Sequence, residues 1–476
     1  MSYEIRADYS QSWLFPPQLE DWVAADHPAR FLREFVDSLD VRGIGFHART
    51  SEDGRPSYAP DLLLKVWLYG YVNGIRSLRR LERACRENVG LMWLTGLNVP
   101  DHNTLWRFWR DNRAALRRMF KLVVQVAVRA QLVDVVLHAV DGTKVLAQGS
   151  KDRVRTRRQL EEILAQVDGA VEEVMAQVEA TAQQEQDCAG YELPEGWREQ
   201  MLRREQLREL VTELQTSERQ TMHDLEREAR FMKTRREGTA LAYNAQTVVD
   251  SGGLIVAEAV VNEETDHEQL VPMLDEVKEN VGRVAEESVA DAGYHSGEQL
   301  EQAEEREYAV VVGEQRHTAG KAEAKPEYDS ARFVYDAERD CCVCPQGKEL
   351  RFERVSVKGK GGAERVRVYR CQQFEQCPVR WQCSRDAKGR TVSIGRFHAA
   401  IRRQREKRTL PTKQALLRRR RELVEGCYGV IKEVMGFRRF TVAGLEQVRV
   451  QWSLICTAFN LRKLYSHWRE RKLAFA

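Results

Sequence analysis

The sequence predicts an α/β protein with a mixed five-stranded sheet, an all-helical region before it and two insertions within it. Short β-branched runs alternate with helical patterns in the middle of the chain, whereas the first part follows helical periodicity throughout. The chain has 476 residues. It is therefore too long for one ordinary domain, and roughly two to four units are expected.

The N-terminal region, residues 1–130, is predicted to contain short helices with a turn before the third. Asp101 or Asn103 can cap this third helix, because either side chain can accept a hydrogen bond from a free N–H of the first turn. Arg107 and Arg110 alternate there with tryptophan and phenylalanine. The arrangement is typical of a helix-turn-helix, and the alternative is a packed helical bundle with an amphipathic surface.

The predicted strands follow this region. The valine-rich run 134–141 ends at Asp141 and suits a buried central strand. Two further runs, joined by residues 251–253, predict a hairpin. A helix starting at Asp266 comes next, then a strand that ends at Asp291, a helix and a last strand. Because sites form at the carboxyl ends of such strands, the two aspartates are expected to meet.

Two insertions interrupt the strands. Residues 151–236 are predicted to form a coiled-coil-like helical hairpin, since apolar residues recur there at steps of three and four. Residues 314–395 contain six of the ten cysteines, and no secretory signal accompanies them. That combination favours a bound metal over disulfides and predicts a small, loop-rich unit.

Four thiolates in this second insertion can bind one structural zinc ion. The favoured ligands are Cys344, Cys371, Cys377 and Cys383, with Cys341 as the first substitute because it forms C-x2-C with Cys344. The spacing is looser than in the strongest zinc motifs. Reduced, buried cysteines are the alternative.

A long helix is predicted at 413–435, and an apolar helix that covers the sheet follows it. The first carries R-x3-E-x6-K, formed by Arg421, Glu425 and Lys432, and the arginine and glutamate share one helix face. From Arg396 to Arg421 there are eleven lysines and arginines against one glutamate. The net charge of +3 hides this concentration. It favours a groove for a nucleic-acid backbone over a merely solvated helix face.

Asp141, Asp291 and Glu425 are the candidate catalytic residues. Two strand-end aspartates and one helix glutamate can gather around Mg²⁺ or Mn²⁺, which prefer oxygen ligands. A site with two such ions can support in-line displacement at phosphorus. Each aspartate taken alone is more often a turn residue.

Sequence motifs along nearly the whole chain resemble the DDE transposases of bacterial insertion sequences, most closely the insertion-sequence group numbered eleven-eighty-two. The R-x3-E-x6-K stretch resembles the Y-R-E-K signature of this family, although Arg418 stands where tyrosine is expected. The motifs that carry the resemblance are SWLFPPQLEDWVAADHPARF, YAPDLLLKVWLYGYVNGIRSLRRLERAC, PDHNTLWRFW, AVDGTKV, AYNAQTVVD, ADAGYHS and EGCYGVIKEVMGFRRF.

The resemblance implies an RNase H-like core that holds two Mg²⁺ or Mn²⁺ ions. It implies cleavage at the ends of the element, followed by attack of the freed 3′-OH on target DNA. It also implies that element ends and target DNA are the partners, and that a homodimer pairs two ends. The residues expected to contact DNA are Arg421, Lys432, Arg419, Arg420, Arg107 and Arg110.

The expected units are a helical domain, a split core and two insertions. No long apolar stretch predicts a membrane span, so a cytoplasmic, nucleoid-associated protein is expected. The alternatives are a metal-dependent nuclease without strand transfer and a catalytically silent DNA-binding relative. The predicted boundaries are 1–130 for the helical domain, 131–150 and 237–313 for the core, 151–236 and 314–395 for the insertions, and 396–476 for the C-terminal part of the core.

Overall fold

The N-terminal region is helical, as its periodicity predicts. The computed structural model describes residues 18–48, 56–184, 197–217, 219–234, 236–314, 326–358, 364–471 and 473–475. The helices of this first region are α1 (Leu19–Trp22), α2 (Pro28–Asp37), α3 (Pro60–Val72), α4 (Leu78–Glu87), α5 (Val89–Thr95), α6 (His102–Asp111) and α7 (Arg113–Arg129).

One continuous apolar core joins this region to the sheet. The helix α3 is buried almost all round because α2, α5 and the C-terminal helix pack against it. Asp101 caps α6, as predicted, since its carboxylate accepts the N–H of Thr104 at 2.6 Å. The same apolar cluster continues through α7 to the inner residues of the sheet.

The central sheet is mixed, as predicted, but among the described residues it has six strands rather than the expected five. Its first strand runs antiparallel to the long strand of a hairpin and parallel to two later strands, in the order β6-β5-β1-β7-β8, with β4 beside the start of β5. The predicted hairpin through residues 251–253 is confirmed. The strands are β1 (Leu137–Leu146), β2 (Val154–Thr156), β3 (Thr221–His223), β4 (Arg230–Thr234), β5 (Gly238–Asp250), β6 (Ile255–Val261), β7 (Glu287–Ala290) and β8 (Val310–Val312).

The prediction that β1 ends at Asp141 was wrong. Asp141 is the fifth residue of a ten-residue strand. Only the parallel pairing stops there, because Leu137–Val140 pair with Glu287–Ala290. The strand itself continues against β5 as far as Leu146. Asp141 therefore lies where the neighbouring strand β7 gives way to a loop.

Helices cover both faces of the sheet. Alternate residues of a strand point to opposite faces, so Val140 belongs to the core under α10 and α11, whereas Ala139 belongs to the larger core under α15. The predicted long helix begins at Pro411, two residues before its predicted start, and ends in a π-helical turn, Val430–Val434. The helices are α10 (Leu270–Val281), α11 (Gly297–Glu305), α13 (His398–Thr409), α14 (Pro411–Gly429) and α15 (Leu445–Arg469).

The first insertion is the predicted helical pair, formed by α8 (Arg157–Gln184) and α9 (Trp197–Thr216). The two helices pack through Leu160, Leu207 and Leu210, and the short β2–β3 ribbon closes their base. Among the helices of the described ranges, none is long and apolar enough to cross a membrane.

The second insertion is not loop-rich, as was expected, but contains a five-stranded antiparallel sheet in the order β13-β12-β11-β10-β9. The expectation was wrong because buried Val366 and Val368 alternate with exposed Arg365 and Arg367, which is a strand period. Its elements are β9 (Val334–Asp336), β10 (Cys341–Val343), β11 (Glu349–Lys358), β12 (Glu364–Cys371), α12 (Arg380–Cys383) and β13 (Thr391–Ile394).

Candidate active site

Asp141 and Asp291 are brought together by the parallel pairing of β1 with β7. Val140 pairs with Ala290, so the residues that follow are neighbours across the sheet. Burial raises the pKa of Asp141 to about 6; Arg420 opposes this shift and the charge of Asp291 adds to it. The charge of Asp291 is therefore close enough to disfavour the ionisation of Asp141.

Helix α14 lies over this pair of carboxylates. Arg420 Nη1 is 3.1 Å from Asp141 Oδ2. The hydroxyl of Tyr428 donates to the backbone oxygen of Asp141 at 2.7 Å and lies 2.8 Å from Thr247 Oγ1. Lys432 Nζ donates to Thr143 Oγ1 two residues further along β1. Three of these contacts thus fix α14 and the π-helical turn after it against β1, and the fourth reaches β5.

Glu425 is carried by the same helix, between Arg420 and Tyr428, but its side chain is exposed, as is that of Arg421. The structure therefore joins Asp141 to Asp291 and places the helix of Glu425 above them. It does not bring the glutamate side chain into the pair. Within the described residues, no group of three or more His, Cys, Asp or Glu side chains is arranged to hold a metal ion.

Several arginines of the basic segment, Arg396 to Arg421, pair with glutamates elsewhere in the chain. On α13, Arg403 Nε lies 3.0 Å from Glu304 Oε1, and Arg405 Nε lies 2.8 Å from Glu314 Oε1. These pairs reduce the local positive field that the sequence suggests. On α14, Arg418, Arg419 and Arg421 are exposed, so this half of the segment is the better candidate for contact with an anionic partner.

The remaining arginines predicted to bind DNA are on the surface. Arg419 on α14 is exposed and lies 2.7 Å from Glu422. Arg107 and Arg110 are exposed on α6, where Arg110 donates to Asp111 at 2.7 Å. Such surface pairs contribute little to stability, so these side chains can exchange their partners for phosphates at small cost.

Cys344, Cys371, Cys377 and Cys383 line one small cavity in the second insertion. Burial raises the pKa of Cys371 and of Cys383, and for each the other neighbouring thiols add to the shift. Cys341, the predicted substitute ligand, does not line this cavity. It lies on β10, on the face opposite that of Cys342. The nine described cysteines are all free thiols.

Two family models match the chain. A model described as Transposase DDE domain matches residues 343–465, and one described as Transposase domain (DUF772) matches residues 17–111. These two matches indicate a DDE transposase of an insertion sequence. The pairing of these two models is consistent with the group numbered eleven-eighty-two. No curated protein matches the chain.

The DDE match contains Glu425, whereas Asp141 and Asp291 lie before its first residue. A DDE transposase domain implies a DNA partner, use of a divalent metal such as Mg²⁺ and an RNase H-like core. The observed strand order β6-β5-β1-β7-β8, with one antiparallel hairpin and three parallel strands, agrees with that core.

Sequence reasoning missed three residues beside the transposase carboxylates. Arg420 was predicted to contact DNA and not Asp141, although its position four residues before buried Val424 places both on one helix face. Tyr428 is a further turn along that face. The third residue, Asp266, was expected to begin a helix, but α10 begins at Leu270. The side chain of Asp266 is bound instead by amide groups of β5.

Proposed function

We propose that this transposase cleaves DNA at the ends of its element by a two-metal DDE mechanism, and that it then joins the freed 3′-OH to target DNA. Asp141, Asp291 and Glu425 are the proposed catalytic residues. The main support is the adjacency of Asp141 and Asp291 beneath the helix that carries Glu425. A nuclease that shares this fold but lacks strand transfer is the second candidate.

The donor set of this site fits Mg²⁺ or Mn²⁺. Both aspartates offer hard oxygen ligands, and the raised pKa of Asp141, due first to burial and in part to Asp291, indicates a place that a cation would stabilise. When bound, divalent ions activate an attacking oxygen and stabilise a leaving one. Asp141 and Asp291 would hold these ions, and Glu425 would be a further ligand if its side chain turned inward.

The cations of α14 bind and orient DNA in this proposal. Arg421 lies one turn before Glu425, and Lys432 is held over β1 by Thr143, so the two flank the glutamate along the helix. Arg420 leaves Asp141 for a phosphate when DNA arrives. Arg419 binds the backbone further out. Catalysis then depends on positioning and on neutralising the developing charge.

The N-terminal helix α6 is proposed to bind the element ends through Arg107 and Arg110, whose side chains are exposed on one helix. Each phosphate that is neutralised contributes about −0.9 to the slope of log K against log salt. Replacing both arginines with alanine should flatten this slope by about one to two units. A homodimer is the proposed form that holds two ends together.

A structural zinc ion is proposed in the second insertion. Cys344, Cys371, Cys377 and Cys383 suit it because four thiols that line one cavity provide the soft, closed ligand set that zinc prefers. Cys377→Ser should reduce the zinc content measured by elemental analysis and lower thermal stability. Cys85→Ser, at a buried thiol in the helical region, is the matched control. Full-length protein without zinc would refute the proposal.

The decisive experiment compares the wild type with Asp141→Asn on a DNA fragment that carries an element end. The variant should bind DNA as tightly as the wild type but fail to cleave it in Mg²⁺. Retained cleavage would exclude Asp141 from the chemistry. A second assay uses a pre-nicked end: joining to target DNA supports transposition, whereas hydrolysis alone supports the nuclease alternative.

A further inference from the structure

Asp266 is a half-buried aspartate in the turn before α10, on the face of the sheet opposite α14. Its Oδ1 accepts hydrogen bonds from Asn244 Nδ2 at 2.6 Å and from Gln246 Nε2 at 2.7 Å, and Lys144 Nζ lies 3.4 Å away. Asn244 and Gln246 are fully buried on β5. Three donors thus hold one carboxylate oxygen in place.

This carboxylate reaches the neighbours of both catalytic aspartates. A Cβ atom added to Gly142, which follows Asp141, would lie 2.8 Å from Asp266 Oδ1. A Cβ added to Gly293 would lie 3.1 Å from Asp266 Oδ2 and 2.9 Å from Asp291 Oδ1. Real Cβ atoms essentially never come closer than 3.0 Å to a neighbouring heavy atom. Glycine at position 142 therefore lets Asp266 approach β1 beside Asp141, and a Cβ at position 293 would be tightly placed against the same carboxylate.

An ordinary role as a helix cap does not explain this side chain. The N-cap residue of α10 is Gln269, whose side chain makes no capping hydrogen bond, and the N–H of Val271 in the first turn donates to Gln299. The carboxylate binds amide side chains from β5 instead. The second oxygen, Oδ2, faces the small gap beside Gly293 that Asp291 also borders.

Lys144 is the counter-ion of this group. Its side chain is only 19% exposed, as is that of Asp266. Burial lowers the pKa of Lys144, while Asp266, Glu264 and Asp291 oppose that shift. The ammonium group therefore interacts electrostatically with both Asp266 and Asp291, and it partly neutralises the negative charge on this side of the site.

We propose that Asp266 is a positioning residue of the transposase: it supports the turn that carries Asp291, and its charge, balanced by Lys144, sets how strongly Asp291 holds a divalent cation. The inference rests on the proposed metal-dependent function. A charge a few ångströms from a half-buried site acts through a reduced dielectric, so changing it should alter cation affinity by about tenfold.

The test measures binding of Mn²⁺ to full-length, metal-free protein without DNA, by electron paramagnetic resonance. Asp266→Asn keeps the shape and one acceptor oxygen but removes the charge, and it should weaken binding about tenfold. Lys144→Gln removes the opposing charge and should tighten binding. The matched control is Asp275→Asn, at an aspartate on α10 that binds Tyr308 and lies near Arg306.

Opposite signs for the two variants support the inference. If both variants bind Mn²⁺ more weakly, the pair only supports the fold. If neither variant changes Mn²⁺ affinity, Asp266 does not act on the site. Either result overturns the proposal. If Asp266→Asn does not fold, Lys144→Gln decides alone, because unchanged or weaker binding contradicts the electrostatic role. If Asp141→Asn and Asp291→Asn leave Mn²⁺ binding intact, the proposed function itself fails.

Discussion

Replacing Asp141 with asparagine should stabilise the metal-free transposase at high pH. The pKa of Asp141 is raised from 3.8 to about 6, chiefly by burial, and its side chain is 19% exposed. The folded chain therefore keeps this proton to higher pH than the unfolded chain does. Stability is lost as the pH rises from 3.8 through about 6, and the full loss is about 3 kcal/mol at about 1.4 kcal/mol per unit.

The assay compares thermal midpoints of the wild type and of Asp141→Asn in chelator at pH 5 and at pH 8. At pH 5, about one pH unit below the folded-state pKa of Asp141, its proton still stabilises the folded wild type by about 1.4 kcal/mol relative to high pH. This stabilisation is lost by pH 8, so the variant should gain about 1.4 kcal/mol relative to the wild type between the two pH values. For a unit of 150–250 residues this is about 3–6 °C. Adding Mg²⁺ should stabilise the wild type more than the variant. A difference between the two proteins that does not change with pH would show that Asp141 is not desolvated.

Three further predictions concern side chains around the sheet. Arg420→Gln should increase Mn²⁺ affinity in the absence of DNA, because it frees the carboxylate that Arg420 now contacts; calorimetry with Arg419→Gln as the control checks this. Tyr428→Phe should cost about 1–2 kcal/mol in urea unfolding, because its hydroxyl binds the backbone of β1, and it should slow cleavage. Glu276→Gln should stabilise the chain at pH 8 but not at pH 5, because burial, together with the charge of Glu258, raises the pKa of Glu276; an equal effect at both pH values would contradict it.

The elements that carry the site could be predicted because each has a strong local pattern. The valine run before Asp141, the run before Asp291 and the helix of Glu425 are all visible in the sequence. The end of β1 could not be predicted, because it depends on which partner strand stops first. The packing of α3 against α15 in one core could not be predicted either, because it depends on contacts between residues far apart in the sequence.

The partners of the carboxylates were harder to predict than the carboxylates themselves. Asn244 and Gln246 are polar residues at alternate positions of a buried strand, which is a usable signal for a buried acceptor, but it does not identify Asp266 about twenty residues later. The contact of Arg420 with Asp141 depends on how α14 is rotated over the sheet. In a block of four arginines, the sequence alone does not show which one faces inward.

The rotation of α14 explains why Arg420 contacts Asp141 while Glu425 is exposed. Arg420 and Glu425 are five positions apart, and at about 100° per position their side chains point about 140° apart around the helix. In this arrangement the inward position belongs to the arginine, whose charge substitutes for a cation beside Asp141. Bringing Glu425 inward requires a turn of the helix or a long reach around it, and either is easier once Arg420 has a phosphate to bind. Metal binding and DNA binding are therefore expected to reinforce each other, because each removes Arg420 from Asp141.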